Sequence, residues 1–142
     1  MIHLFIDTNV VIDFLTDRKP FSNLAGKLFD YSVKGKVKMY LSAVSYSNIY
    51  YVVKKVSSHK EAIKILNKLE EMTEIIDTTT STIKNALGSE FKDFEDAIQY
   101  FSAKLNSNIN GIVTRNGRDF KHSTISIFSL EEAIKFVETT SR

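Results

Sequence analysis

Cysteine is absent from this chain, and its absence removes two architectures at once: a small core stapled by disulfides and a metal centre built on thiolates. A cysteine-free sequence fits a reducing compartment, and the expected location is cytoplasmic. Proline is confined to Pro20, and no Pro-, Gly- or Ser-rich stretch, internal repeat or low-complexity tract marks a linker, so a single domain is expected over residues 1–142. That length is enough to bury a substantial hydrophobic core without covalent help. Long apolar runs are also missing. Asp7 and Asp13 interrupt the apolar character of the N-terminus, and no basic segment leads into an apolar run with a cleavage site, so neither a signal peptide nor a membrane span is expected. Charge of one sign is in short supply too: a net charge of +2 gives no global attraction for nucleic acid. Local basic clusters remain at Lys34, Lys36 and Lys38, at Lys54, Lys55 and Lys60, and at Arg115, Arg118 and Lys121 with His122. Each of these by itself reads as solvated surface.

What the chain does have is a regular alternation of strand-like and helix-like patterns. Ile2 to Ile6 is a short apolar run of strand type, and Val10, Val11, Phe14 and Leu15 then suggest a short helix. After Pro20, the residues Phe21, Leu24, Ala25, Leu28 and Phe29 fall at helical spacing, with Gly35 beyond them to supply a left-handed turn. Val37, Met39 and Leu41 alternate as a strand. The segment from Ser45 to Val56 is rich in strand-favouring Tyr, Ile and Val, yet Ile49, Val52, Val53 and Val56 share a helical face, and no turn signal separates the segment from the preceding strand. A helix is the expectation there. Ser58 and Glu61 form a capping box ahead of the stripe Ala62, Ile65, Leu66, Leu69 and Met72. Ile75 and Ile76 mark a short strand, and Thr80 to Leu87 a helix stopped at Gly88. A further helix runs from about Asp93 to Leu105 with Phe94, Ala97, Ile98, Phe101 and Leu105 on its buried face. Strands follow at Gly111 to Thr114 and Ile125 to Phe128, and Ser129 with Glu132 caps a last helix carrying Leu130, Ala133, Ile134 and Val137. Strands alternating with helices in this way argue for an α/β fold with a parallel sheet covered on both faces.

Against that framework the acids stand out. Asp7 follows the first strand directly and is therefore delivered to the carboxyl edge of the sheet, where open parallel α/β sheets keep their ligand crevice. Asp93 and Asp96, three residues apart, share one face of their helix, whereas Glu90 and Glu95 read as a solvated first turn that complements the helix dipole. Asp119 emerges from the Thr114-Arg115-Asn116-Gly117-Arg118-Asp119-Phe120 loop, after another strand and hence at the same edge. In isolation it fits an Asx-turn residue equally well. Ionised carboxylates gathered in one crevice repel each other and persist only when protons or cations neutralise them. Oxygen donors of this kind suit Mg²⁺ or Mn²⁺, and His3, His59 and His122 have no ligand spacing that points to zinc.

With these segments assembled, Phe5-Ile6-Asp7-Thr8-Asn9-Val10-Val11-Ile12-Asp13, Asp93-Phe94-Glu95-Asp96-Ala97 and the Thr114–Phe120 loop resemble the PIN domain, the nuclease fold of the VapC-type toxins of bacterial toxin–antitoxin pairs. The resemblance covers essentially the whole chain. It implies a three-layer α/β/α sandwich around a central, mostly parallel sheet, and a Mg²⁺- or Mn²⁺-dependent endoribonuclease that cleaves RNA phosphodiester bonds. It also implies an antitoxin protein as partner and a homodimer. Carried over by residue, it assigns Asp7, Asp96 and Asp119 as metal-binding and catalytic acids, with Asp93 as an accompanying catalytic acid. Thr8, Asn9, Asn48, Thr114 and Asn116 are the supporting residues. Arg115 and Arg118 flank the crevice and suit bidentate contacts with RNA phosphates. One position departs from the pattern: family members usually carry Glu in the helix after the second strand, and the matching place here is Asn48. No acid lies between Asp30 and Glu61 to replace it. Three consequences stand side by side: an active ribonuclease that binds its metal more weakly, one in which Asp93 substitutes, and a catalytically impaired PIN-fold module that binds RNA or a partner.

Overall fold

Short apolar runs become strands and period-3.6 segments become helices across residues 1–140, which the computed structural model describes. Ser141 and Arg142, part of the expected single domain, lie outside the described residues. The strands are β1 (Ile2–Ile6), β2 (Val37–Ser42), β3 (Thr73–Ile76), β4 (Gly111–Val113) and β5 (Ile127–Phe128). The helices are α1 (Thr8–Leu15), α2 (Phe21–Val33), α3 (Ala43–Val56), α4 (His59–Met72), α5 (Thr80–Leu87), α6 (Phe94–Ala103) and α7 (Leu130–Thr140). Among the described residues no helix is long and apolar enough to cross a membrane.

The strands form a five-stranded sheet in the order β3-β2-β1-β4-β5, with every pairing parallel. Burial on both faces explains why its central strands read as nearly continuous apolar runs. On one face Leu4, Ile6, Met39, Leu41 and Val113 pack with Val10, Val11, Leu28, Ile49, Leu69 and Val137 of α1, α2, α3, α4 and α7. On the other, Phe5, Tyr40 and Ile112 pack with Tyr100 and Ala103 of α6. Ala86 of α5 meets Ala97 and Ile98 of α6. The result is the α/β/α sandwich that the resemblance implies.

Local chemistry sets the element ends. The Ser58 hydroxyl accepts the Glu61 N–H at 3.1 Å, and Ser129 and Glu132 form a complete capping box in which each side chain accepts the other's backbone N–H. Gly35 sits at φ +76°, the left-handed turn after α2. At the start of β4, a Cβ on Gly111 would lie 2.2 Å from the Phe128 ring, so the close approach of β5 requires glycine there.

Four details correct the sequence reading. The strand expected over Ile125–Phe128 forms only at Ile127–Phe128, because the Ser123 side chain takes both the N–H and the C=O of Ile125 and removes them from the ladder. The helix expected from Asp93 to Leu105 spans Phe94–Ala103, with Asp93 and Lys104 as its caps. Phe94 and Leu105 are exposed rather than core residues, Phe94 on the outer side of the first turn and Leu105 beyond the C-cap. Val56, assigned to the buried face of α3, is exposed at that helix's last residue.

Candidate active site

Chain order and sheet order change direction between β1 and β4. From β1 the chain runs outward through β2 and β3, then returns to place β4 on the other side of β1. Parallel sheets open a crevice at the carboxyl ends of two strands so related. Asp7 and Thr114 are the residues that follow β1 and β4 there, held level by the bond from the Asp7 N–H to the Val113 carbonyl at 3.0 Å.

Asp7 is 1% exposed, and its carboxylate is held from three sides. Oδ2 accepts the Thr114 hydroxyl at 2.7 Å. Oδ1 accepts the Gln99 amide at 3.1 Å and the Asn9 backbone N–H at 3.3 Å, the latter making Asp7 the N-cap of α1. Gln99, on α6, is equally buried, and the Thr8 N–H at 3.0 Å fixes its amide orientation: a backbone N–H can only donate, so Oε1 faces Thr8 and Nε2 faces Asp7. The Thr8 hydroxyl also meets Oε1, at 3.2 Å, and the Ser45 hydroxyl at 2.6 Å, which in turn contacts Ser42 at 3.0 Å. Serines from the β2–α3 junction, Thr8 of α1 and Gln99 of α6 thus form one buried polar chain ending on Asp7. A carboxylate so satisfied is rigid.

The other acids stand around it. Asp93 caps α6 by accepting the Asp96 N–H at 2.9 Å. Asp96, in the first turn of α6, is half-buried. Burial and the charges of Asp7, Asp93, Asp119 and Glu95, in that order, push its carboxyl up from the ordinary carboxylate range to about 7. Asp119 lies on a short 3₁₀ turn, Gly117–Phe120, and is exposed. Its N–H is held by the Asn116 carbonyl at 3.0 Å, and the Asn116 N–H by the Thr114 hydroxyl at 3.1 Å, so the Asp7 anchor extends into the loop that carries Asp119.

Two placements differ from the sequence reading. Glu95 is not a solvated first-turn acid. It is half-buried, and its pKa is raised by burial and by Asp7 and Asp93, against the opposing pull of the Asn48 and Thr8 side chains. Arg115 does not reach freely into the crevice: its Nε lies 2.8 Å from Asp13 Oδ2 and its guanidinium stacks on Phe21. Arg118 is exposed and lines, with Asp119, Lys92, Lys121, His122 and Phe91, a cleft of about 420 Å³. Gln99 and Ser45 went unnoticed as sequence, although each is a polar residue on an otherwise buried helix face, the pattern that signals a buried hydrogen-bond network.

Among the described residues, none of Asp7, Asp93, Glu95, Asp96 and Asp119 forms an ion pair with Lys, Arg or His. The donor set is all hard oxygen, the choice of Mg²⁺, Mn²⁺ or Ca²⁺ rather than of a soft metal. No three of the side chains close into a ready-made cage among the described residues.

A PIN domain family model matches residues 3–118, a span that takes in Asp7, Asp93, Asp96 and the β4 loop as far as Arg118. The chain belongs to the PIN domain family. A relative named Ribonuclease VapC1, from Aquifex aeolicus, is 24% identical over 134 residues, which is 91% of each chain. Among solved structures, the DNA-bound VapBC complex of Salmonella typhimurium holds a chain that superposes with TM-score 0.67 at 18% identity, covering 92% of this chain and 99% of that one. VapC20 of Mycobacterium tuberculosis, described as a toxin that cleaves the sarcin-ricin loop, superposes with TM-score 0.60 at 14% identity over 77% of this chain and 86% of its own. At these identities the structures establish a shared PIN fold.

Proposed function

We propose that this PIN domain is a metal-dependent endoribonuclease acting as the toxin of a toxin–antitoxin pair. The observation that carries the reading is the convergence of Asp7, Asp93, Asp96 and Asp119 at the switch point of the sheet with no cationic side chain paired to them among the described residues. The kinship to Ribonuclease VapC1 supports the reaction class. Asp7, Asp96 and Asp119 are the residues that would hold Mg²⁺ or Mn²⁺, with Asp93 beside them. Such an ion supplies charge stabilisation at a phosphoryl oxygen and a source of hydroxide at neutral pH. The chain's own contribution is positional: Thr114 and Gln99 hold the Asp7 carboxylate at one orientation, Asn116 ties Asp119 to Thr114, and Arg118 meets the RNA backbone. Arg115, paired with Asp13, steadies the loop that carries them.

The VapBC complexes among the structural neighbours support a protein antitoxin as partner, and the same reading takes the toxin as a homodimer. An apolar cleft lined by Val11, Phe14, Leu15, Phe29, Ile65 and Met72 gives a partner segment somewhere to bury side chains.

The test is cleavage of a mixed RNA pool by the full chain, EDTA-treated and then supplied with Mn²⁺ or Mg²⁺, beside Asp7→Asn and Asp96→Asn. Metal-restored cleavage that both variants lose is the expected result. Cleavage by both variants at the wild-type rate overturns the assignment. RNA retention without metal and no cleavage with it identifies the binding-module alternative, for which the amide at Asn48 speaks.

A further inference from the structure

Three cations beside the acid site have no partner within the chain. Lys92 precedes Asp93, the cap of α6, and Arg118 and Lys121 stand on either side of Asp119 and Phe120. All three are exposed, and among the described residues none forms an ion pair or lies over an aromatic ring. The cluster at Lys34, Lys36 and Lys38 differs, since Asp30, the Tyr31 ring and Glu74 take up its charges. Unpaired cations gathered on one surface raise the local concentration of an anion arriving from solution.

The three share one cleft, of about 420 Å³, between residues 90–92 and residues 118–122. Its size falls within the roughly 300–1,000 Å³ of small-molecule sites. Aromatic packing joins its two walls: the Phe91 ring from the first meets the Phe120 ring from the second edge-on, with centroids 5.8 Å apart, and lies 5.2 Å from the Tyr100 ring of α6. The Tyr100 hydroxyl accepts the Thr124 N–H at 3.1 Å and ties the second wall to the same helix. Phe91 is thereby fixed in place, yet it is only partly buried and lines the cleft. A rigid ring among free cations suits a single-stranded nucleic acid, whose phosphates follow the cations while an unpaired base stacks on the ring. A duplex keeps its bases stacked on one another and has none to offer. Asp119 also lines the cleft, which makes it continuous with the acid site.

We propose that this cleft binds one unpaired nucleotide adjoining the scissile phosphate, with Phe91 stacking on its base and Lys92 and Lys121 contacting the phosphates that flank it. The inference rests on the ribonuclease reading given above and adds a requirement to it: the RNA must be single-stranded on the side of the cut that enters the cleft.

Fluorescence polarisation of a short labelled RNA, as single strand and as duplex, with the full chain in EDTA reads binding apart from cleavage, and circular dichroism melts check the folding. Phe91→Leu keeps an apolar side chain against Tyr100 and Phe120 but removes the stacking face, and is expected to weaken single-strand binding by about tenfold while leaving the duplex unaffected. Phe91→Tyr keeps the face and is expected to bind as wild type does. Lys92→Ala and Lys121→Ala should each lower the slope of log affinity against log salt by about 0.7 on the single strand. These two exposed positions carry the test if Phe91→Leu does not fold. A folded Phe91→Leu protein with wild-type affinity for the single strand, or with an equal loss on the duplex, overturns the stacking role. Unchanged slopes in both lysine variants overturn the phosphate contacts, and both results together leave the cleft to a protein partner. Neither bears on the nuclease reading, which falls if Asp7→Asn and Asp96→Asn cleave RNA at the wild-type rate.

Discussion

Arg115 and Asp13 face each other across the junction of α1 and the β4 loop, with Nε 2.8 Å from Oδ2 and a second guanidinium nitrogen 3.3 Å from Oδ1. Asp13 is fully buried, and Arg115 is also stacked on Phe21, so the pair fastens the loop bearing Asn116 and Asp119 to the helix that Asp7 caps. Removing the cation leaves a buried carboxylate with only Arg18, at 3.5 Å, to answer it. Arg115→Met should therefore destabilise the fold by about 3–5 kcal/mol, and Asp13→Leu combined with it by clearly less than the sum of the single variants. Urea unfolding of the four proteins of this cycle checks the coupling. Additive losses would show that the pair does not act as a unit.

Arg118 has no such commitment. Arg118→Ala should weaken RNA binding and lower the slope of log affinity against log salt by about 0.7, the release expected for one phosphate contact on a single strand. Filter binding by Asp96→Asn protein, expected to retain RNA without cutting it, gives the slope. An unchanged slope would make Arg118 ordinary solvated surface.

Asp96 makes the metal-free protein sensitive to pH in a direction opposite to most acids. Its carboxyl titrates at about 7 in the folded chain, against 3.8 for an unperturbed aspartate exposed to water, so between these limits the folded state binds more protons than the unfolded state. Stability in EDTA should then be highest towards pH 4 and fall as pH rises through 7, as far as this group contributes. Asp96→Asn removes that slope and should be more stable than wild type at pH 8. With Asp96 as the proposed metal ligand, the cation and this proton compete, so Mn²⁺ affinity should rise as pH rises towards about 7. Urea midpoints at several pH values, with and without Mn²⁺, test both halves; a flat wild-type profile in EDTA contradicts the first.

Gln99 serves two partners at once, and its loss should be felt in both. Gln99→Leu leaves the buried Thr8 N–H without its acceptor and Asp7 Oδ1 without its side-chain donor. The expected cost is about 1–3 kcal/mol for each buried group left unpaired. Gln99→Glu keeps the acceptor for Thr8 but sets a carboxylate against Asp7, so it should lower metal-free stability and recover part of it on adding Mn²⁺. Thermal melts distinguish the two variants, and equal responses to metal would place Gln99 outside the electrostatics of the site.

The order of strands and helices was legible in the chain before any folding, because periodicity, caps and turn residues are local. Ser58, Ser129 and Gly35 end their elements through contacts within a few residues, and Asp7 must follow a strand whatever the rest of the chain does. The PIN signature was legible as well, since the segments around Asp7, Asp96 and Thr114 are each contiguous. Which polar groups meet was settled by packing. Gln99 reaches Asp7 from 92 positions away and Arg115 reaches Asp13 from 102, and neither pairing leaves a mark in local spacing. Glu95 was misread for the same reason. At the start of an isolated helix an acid is a dipole partner, and only the fold, which half-buries Glu95 and sets the charges of Asp7 and Asp93 near it, raises its pKa.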